Sequence, residues 1–333
     1  MIDSRHSGLK ESKAARHRLL AILIWLALAA ITVIAILFLP WKQIWTALVR
    51  ANLAWLLAAL GLCLAGTPVM ALQWRLYLPA RYRMELFRTF KLAALTVAAR
   101  ATLPFFTGDA SSVGLLVMRG GLSTGAAVLV LTLDHLFTGL GKAVMVSATL
   151  AFSSVPPFLR TAGLSLGALV ACALGALMLA ALFGGSLHRI AAKFPGRVEH
   201  GIRHFANLTL HLELLRDPAR TVAAFALTLA KKIIEIGTTL TVAHAVGIDL
   251  SFWNAILVVT VVDLAGVIPA PPAGLGVFEA ATLFAYHALG VPTGPAFAAA
   301  LLQHAIYLGT DFGYGYAVLL ADVIRSAKKP PAR

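Results

Sequence analysis

The sequence is poor in charged side chains, which make up only 13% of its 333 residues, and acidic residues are half as numerous as basic ones. So few charges exclude an ordinary soluble enzyme, because soluble domains carry about 25% charged residues. Cysteine is also scarce. Cys63 and Cys172 both fall in apolar stretches, so they form no metal motif and are not expected to pair in a disulfide.

Motifs for catalysis are missing as well. There is no glycine-rich phosphate loop of the Walker type, so hydrolysis of nucleotides is not expected. No group of histidines and cysteines has the spacing of metal ligands. We therefore expect no enzymatic activity, no cofactor and no bound metal.

Hydrophobic residues are abundant, at 59% with a mean hydropathy of +0.85. They gather in runs of about 20 residues, the length of a helix that crosses the ~30 Å hydrocarbon core. The predicted fold class is therefore an all-α polytopic membrane protein. Six full spans are predicted, at residues 19–39, 53–72, 126–151, 164–183, 221–245 and 296–323. Lysine and arginine lie mainly between these spans, so the net charge of +14 does not indicate nucleic-acid binding.

Two further apolar stretches are interrupted by proline and glycine. Residues 102–112 read TLPFFTGDASS, and residues 268–279 read IPAPPAGLGVFE. Proline ends a helix and glycine permits a sharp turn. Each stretch therefore predicts a re-entrant hairpin, in which two short helices enter the membrane and return to the same side. The residues expected to form the breaks are Pro104, Gly108, Pro269, Gly274 and Gly276.

Basic residues are distributed unevenly across this topology. Only Lys42, Arg50 and Arg160 fall on the outer side, so the positive-inside rule places both termini in the cytoplasm. The predicted domains are cytoplasmic tails at 1–18 and 325–333 and one transmembrane domain at 19–324. Within that domain, residues 19–152 and 158–324 repeat the same order of spans and hairpin with opposite orientation. Inverted repeats of this kind are typical of transporters with a binding site at the membrane midplane.

Three stretches resemble a known family. They are Gln73-Trp74-Arg75, then Leu103-Pro104 to Gly108-Asp109 with Arg119-Gly120-Gly121-Leu122-Ser123, and finally Ile268-Pro269 to Gly274-Leu275-Gly276-Val277-Phe278-Glu279. Together with the hydropathy pattern, they are similar to the flippase-like family that includes the membrane region of lysylphosphatidylglycerol synthases. The resemblance implies handling of polar-headed lipids in a bacterial cytoplasmic (inner) membrane. No counterpart of the soluble aminoacyl-transfer domain of some relatives is expected.

Ionisable side chains at membrane depth are costly and usually face a partner or a cavity. The candidates for contact with a lipid head group or a transported ion are Arg100, Asp109, His135, Lys142, Lys231, Lys232, Glu235, Glu279, His304 and Asp311. Structural roles are the alternative. Lys231 and Lys232 could pair with Glu235 along one helix. The second of these lysines has no clear local partner, and it could meet Glu279 or Asp263 across the bundle, or a lipid phosphate. Asp109 could cap a helix, and Glu279 could stabilise the positive end of another.

Two histidines fall at corresponding places in the two halves. We expect His135 beside Asp134 and Thr138, and His304 beside Tyr307 and Asp311. Histidine is the side chain that most readily changes charge near neutral pH, so the pair could make head-group binding depend on pH. The alternative is ordinary hydrogen bonding between helices, worth about 0.6 kcal/mol each.

The leading hypothesis is translocation of a polar-headed phospholipid or glycolipid between leaflets. Its head group would enter a cavity between the two hairpins, where Arg100, Lys142, Lys231 and Lys232 would neutralise a phosphate. Transport would run downhill or be coupled to protons or another ion, since no nucleotide motif is present. The alternative is an integral-membrane transferase, or an accessory protein that associates with lipid-biosynthesis enzymes. The sequence leaves the oligomeric state open.

Overall fold

The computed structural model describes residues 39–103, 107–152, 217–266 and 271–327, together with the isolated positions 161, 165, 168, 172, 214 and 268. Throughout these residues the only regular structure is helix, which confirms the predicted all-α class. Nearly all of the predicted spans at 19–39 and 164–183 lies outside the described residues. Pro104 and Pro269 of the predicted breaks lie outside them too.

Nine α-helices follow one another along the described residues. They are α1 (Trp41–Val49), α2 (Leu53–Tyr77), α3 (Leu86–Thr102), α4 (Thr107–Met118), α5 (Thr124–Phe152), α6 (Pro218–Ala245), α7 (Phe252–Ala265), α8 (Val277–Ala288) and α9 (Thr293–Ala327). Short 3-10 turns occur at Ala80–Tyr82 and Pro272–Gly274. Helices α2, α5, α6 and α9 occupy four of the predicted spans. The pairs α3–α4 and α7–α8 occupy the two interrupted stretches.

Several helices begin where a polar side chain can cap them. The Asn52 side chain accepts the Ala54 N–H at 2.9 Å, and Ser251 accepts the Asn254 N–H at 3.2 Å. Asp217 caps α6 in the same way, and proline occupies the first position of that helix. Such caps satisfy backbone donors that have no partner in the first helical turn.

The structure corrects two of the expected boundaries. Residues 40–51 were expected to be a loop, but they contain α1, which buries Ile44 and exposes Trp45. The lysine and arginine of this stretch give it the composition of a loop, although its apolar side chains lie at helical spacing. Helix α9 continues to Ala327, beyond the position where the tail was expected to begin.

Two of the described helices, α2 and α5, are both long enough and apolar enough to cross a membrane. Helices α6 and α9 have 28 and 35 residues, which exceeds the length required for crossing. They carry five of the ionisable residues that the sequence places at membrane depth, which are Lys231, Lys232, Glu235, His304 and Asp311. The other candidates lie on the remaining helices, so ionisable side chains from several helices meet at the site described below.

The apolar interior consists of two main clusters. One packs the second half of α2 against α3 and the first half of α5, around the fully buried Trp74. The other packs α7, α8 and the start of α9 around Tyr286. Helix α6 runs along α2 and contributes to both clusters. Helix α3 also contacts the Pro272–Gly274 turn, which brings the two breaks together.

Candidate functional site

The second break separates α7 from α8 by a turn whose backbone leaves the right-handed region. Ala273 has a φ of 63°, Gly274 a φ of 72° and Gly276 a φ of 83°. Glycine adopts positive φ without steric cost, so the two glycines make the turn as expected. Ala273 is the one non-glycine residue with positive φ among the described residues. Its position matters because its carbonyl is a hydrogen-bond acceptor in the site.

Glu279, in the first turn of α8, links this turn to α9. Its Oε2 accepts the Gly276 N–H at 2.7 Å, and its Oε1 lies 2.6 Å from His304 Nδ1. His304 Nε2 lies 2.9 Å from the Ala273 carbonyl oxygen on the other side of the ring. The Phe278 ring stacks on the imidazole with the centroids 4.5 Å apart. Turn, carboxylate and imidazole therefore form one closed network.

These contacts restrict where hydrogen can reside. A carbonyl oxygen only accepts, so His304 Nε2 carries a hydrogen. At Nδ1, either an imidazolium faces the Glu279 carboxylate or a neutral ring accepts from the protonated acid. In both forms the pair holds one proton more than a neutral histidine beside an ionised glutamate. The 2.6 Å contact therefore requires one hydrogen between the two groups and joins α8 to α9.

The first break brings α3 and α4 into close contact. A Cβ on Gly108 would lie 3.1 Å from the Arg100 Cα, which leaves little room for a larger residue. Asp109, in the first turn of α4, has Oδ1 3.0 Å from Arg100 Nε and Oδ2 3.2 Å from His135 Nε2. An acid at the start of the second helix therefore ties this break to the following long helix, α5.

Asp134 collects donors from three other helices. Trp74 Nε1 lies 3.1 Å away, Arg100 Nη1 3.4 Å and Lys231 Nζ 3.9 Å. Arg100 keeps unused hydrogen-bonding capacity, because its buried Nη2 bonds to no described residue and its Nε pairs with Asp109 without hydrogen-bond geometry. Arg100 lies between the Asp109 and Asp134 carboxylates and thus links the first break to α5.

A third ionic group joins α5, α6 and α7. Lys232 Nζ lies 2.6 Å from Glu235 Oε2 and 2.7 Å from Asp263 Oδ2. Lys142 donates to the Asp263 carbonyl at 2.9 Å and lies 3.6 Å from its carboxylate. Lys232 has only 5% of its side chain exposed. Such burial of an ammonium group requires the two carboxylates that accompany it.

These groups surround a cavity of about 680 Å³ between the two breaks. We call it the central cavity. Helices α3 and α4 line one side, the α7–α8 turn lines another, and α6 and α9 complete it. The ionisable residues in its lining are Arg100, Asp109, Glu235, Asp263, His304 and Asp311. Carboxylates therefore dominate the lining, and Arg100 is the single strong base among the lining residues.

The family comparison agrees with this architecture. Residues 22–313 match the model of the family described as lysylphosphatidylglycerol synthase TM region. The chain belongs to this family. Membership confirms the resemblance drawn from the sequence, makes the chain a membrane protein and agrees with a role connected to lipids. No curated protein and no solved structure gives a significant match to the chain.

The structure brings most of the predicted site residues of this family member together. Arg100, Asp109, Glu235, His304 and Asp311 line the central cavity, and the predicted break residue Gly274 does so as well. The remaining candidates do not line the cavity. Lys142, Lys232, Glu279 and His135 each contact an ionic group of the lining, whereas Lys231 lies 3.9 Å from Asp134, which in turn contacts the lining residue Arg100.

Two expectations about these residues are wrong in their geometry. The three lysines do not face the cavity as free cations, because each lies close to a carboxylate of a neighbouring helix. The two histidines also have other partners than those expected. His304 binds Glu279 instead of Tyr307 or Asp311, and His135 pairs with Asp109 instead of Asp134. The expected partners are close in sequence, whereas the observed ones come from another helix.

Ala273 and Trp74 belong to the site but were not among the candidates. Asp263 entered the sequence analysis as one partner for a lysine across the bundle, and Lys232 lies 2.7 Å from its carboxylate. Trp74 donates to Asp134 from α2, a contact that no sequence pattern indicates. The Ala273 carbonyl is a backbone group, and only the geometry of the turn reveals its role.

Proposed function

We propose that the protein moves a polar-headed lipid between the leaflets of the bacterial cytoplasmic membrane. The observation that carries this proposal is the central cavity, a polar space lined by two helix breaks inside an otherwise apolar protein. In a membrane, non-helical backbone is tolerated where protein buries it or where it lines a wet cavity. Transporters commonly bind their substrates at such broken helices.

The charges of the cavity favour a head group that carries both signs. Arg100 lines the cavity with 26% of its side chain exposed, and its positive charge would favour a phosphate. Glu235, Asp263 and Asp311 face the same space and would attract a positively charged group such as an amine. Among the described residues, no base forms an ion pair with Asp311. A purely anionic head group would meet more carboxylates than bases, so a zwitterionic one fits better.

The proposed arrangement has six full spans and two re-entrant hairpins in inverted repeats, with both termini in the cytoplasm. The order of residue types supports it. In each half, a helix break is followed by an acid in the first turn of the next helix and by a histidine about 25 residues later. Hairpins that enter from opposite faces would place both breaks near the midplane, where a head group must pass.

Energy for this movement would come from the lipid gradient or from protons. The Glu279–His304 pair favours coupling to protons. Its two side chains are buried and lie 2.6 Å apart, so one proton would be shared between them. The network includes the Ala273 carbonyl, so a change in protonation would alter the bonding of the turn that lines the cavity. Proton transfer and reshaping of the cavity would then be linked.

Reconstitution tests the proposal. Purified protein is placed in liposomes that contain phosphatidylethanolamine labelled on an acyl chain, and dithionite is added to quench the outer leaflet. We expect the inner-leaflet label to become accessible in protein-containing liposomes and to stay protected in protein-free ones. Acyl-labelled phosphatidylglycerol, which lacks the amine, should move more slowly if a zwitterionic head group is preferred.

Arg100→Gln and Arg88→Gln form a matched pair for this assay. Both remove one arginine from α3, but only Arg100 lines the central cavity. We expect transport to fall at least tenfold in the first variant and to be unchanged in the second. If the inner-leaflet label stays protected from dithionite in liposomes that contain the wild-type protein, translocation is contradicted. Formation of a covalently modified lipid would instead support the alternative, a membrane transferase.

A further inference from the structure

A second cavity lies well away from the central one, where the end of α2 meets the start of α6. This groove has a volume of about 630 Å³. Its charged residues are three arginines, Arg75, Arg83 and Arg220, and no carboxylate is among the described residues that line it. Its remaining surface is apolar and includes Leu72, Leu76 and Leu227. We call it the arginine groove.

The three arginines are not equivalent. Arg220 donates to the Leu76 carbonyl oxygen and so joins the two helices. Arg75 and Arg83 are exposed, and neither side chain forms an ion pair with a described residue. Guanidinium groups bind phosphate with two parallel hydrogen bonds, and an ammonium group cannot reproduce that geometry. Two guanidinium groups that pair with no carboxylate in the described part of the chain, above an apolar floor, match a phosphate attached to hydrocarbon chains.

The depth of the groove fits the same ligand. At about 1.5 Å per residue, α2 places Arg75 about 35 Å from Asn52, close to the ~30 Å thickness of the hydrocarbon core. Trp45 and Trp55, at the Asn52 end, are 68% and 44% exposed. Exposed tryptophans mark a membrane–water interface. If the Asn52 end lies at one interface, Arg75 lies at the other, at the level of lipid phosphates.

We propose that the arginine groove binds an anionic phospholipid of the surrounding bilayer. Arg75 and Arg83 hold the phosphate, while the acyl chains lie along Leu72, Leu76 and Leu227. This lipid bridges α2 and α6 just outside the point where Gln73 donates to the Ala224 carbonyl and to Thr228. Its role is to stabilise that helix pair, and it is separate from any lipid that passes through the central cavity.

Thermal unfolding of the full-length protein in detergent tests this site. Dioleoyl phosphatidylglycerol, dioleoyl phosphatidylcholine and inorganic phosphate are titrated separately. We expect phosphatidylglycerol to raise the unfolding temperature in a saturable manner, with the other two having little effect. In Arg75→Gln/Arg83→Gln the apparent affinity should fall about tenfold, as expected for the loss of charge-assisted hydrogen bonds.

Arg81→Gln is the matched control, because Arg81 lies between the two arginines in sequence, packs over the Tyr82 ring and does not line the groove. It should respond as the wild type does. Arg75→Lys/Arg83→Lys keeps the charge, and we expect an intermediate loss of affinity. If the glutamine variant does not fold, the lysine variant tests whether Arg75 and Arg83 bind phosphatidylglycerol. Equal stabilisation by phosphatidylcholine or by inorganic phosphate, or an equal loss in Arg81→Gln, would overturn the proposal.

Discussion

The two helix breaks contain the same kinds of residues in the same order, but they are closed in different ways. At the first break, Asp109 and His135 have 43% and 57% of their side chains exposed, and the contacts join side chains only. At the second break, Glu279 and His304 have 11% and 6% exposed, and both bind backbone groups of the turn.

The two breaks therefore differ in what holds them together: ion pairs at the first and hydrogen bonds to the backbone at the second. The first break depends on charge, because Arg100 distributes its contacts over carboxylates of α4 and α5. The second depends on hydrogen bonds to the backbone, because Glu279 accepts from the Gly276 N–H and His304 donates to the Ala273 carbonyl. A substitution at the first break should therefore alter ligand affinity more than stability. A substitution at the second should alter both.

The largest effect is expected for Glu279→Ala. It leaves the Gly276 N–H and the buried His304 without their acceptor, which should lower the free energy of unfolding by about 3 kcal/mol. Asp109→Ala, the corresponding change at the first break, should cost about 1 kcal/mol because its partners are half exposed. Denaturant titration of both variants in one detergent gives the comparison. Equal losses would show that burial does not distinguish the breaks.

Glu279→Gln separates the proton from the hydrogen bonds. The amide oxygen can still accept from Gly276, and the amide nitrogen can donate to a neutral His304. We therefore expect nearly wild-type stability and a reduced rate of lipid movement. A variant that is less stable but fully active per folded molecule would assign Glu279 a structural role alone.

Glycine substitutions should show that the two breaks need glycine for different reasons. Gly276→Ala forces a side chain onto a φ of 83°, at a cost of about 1–2 kcal/mol. Gly108→Ala meets the Arg100 backbone and should cost about 1 kcal/mol.

Gly114→Ala is the control for both changes, since it lies within α4 with open space around it. It should leave stability unchanged or raise it slightly. All three variants are compared by their thermal unfolding midpoints. A Gly108→Ala variant as stable as Gly114→Ala would contradict the close approach of α3 and α4.

The smallest effect is expected for His135→Gln. Its ion pair with Asp109 is exposed, so the free energy of unfolding should change by about 0.5 kcal/mol or less. His304→Gln should be several times more costly, because it removes the buried contacts to Glu279 and Ala273. Measured side by side, the two variants test whether residues at corresponding sequence positions have the same importance. Equal costs would remove the distinction drawn between the breaks.

The backbone features of the site and the Lys232–Glu235 pair within α6 were accessible from the sequence, whereas the histidine partners on other helices were not. Gly274 and Gly276 are local signals, and the turn forms where they predict it. The partner of His304 depends on how α8 lies against α9, which no spacing within α9 reveals. Helix α1 was missed for a related reason, since a short one-sided helix that contains Lys42 and is followed by Arg50 has the composition of a loop.

The conformation of Ala273 has a mechanical consequence for the site. A residue with a Cβ is less stable in the left-handed region by about 1–2 kcal/mol, and it stays there only while its surroundings hold it. Here the hydrogen bond from His304 to the Ala273 carbonyl is such a restraint. The turn at the wall of the cavity therefore holds Ala273 in an unfavourable conformation. Loss of the hydrogen bond from His304 would favour rotation of the Ala273 backbone toward the right-handed region.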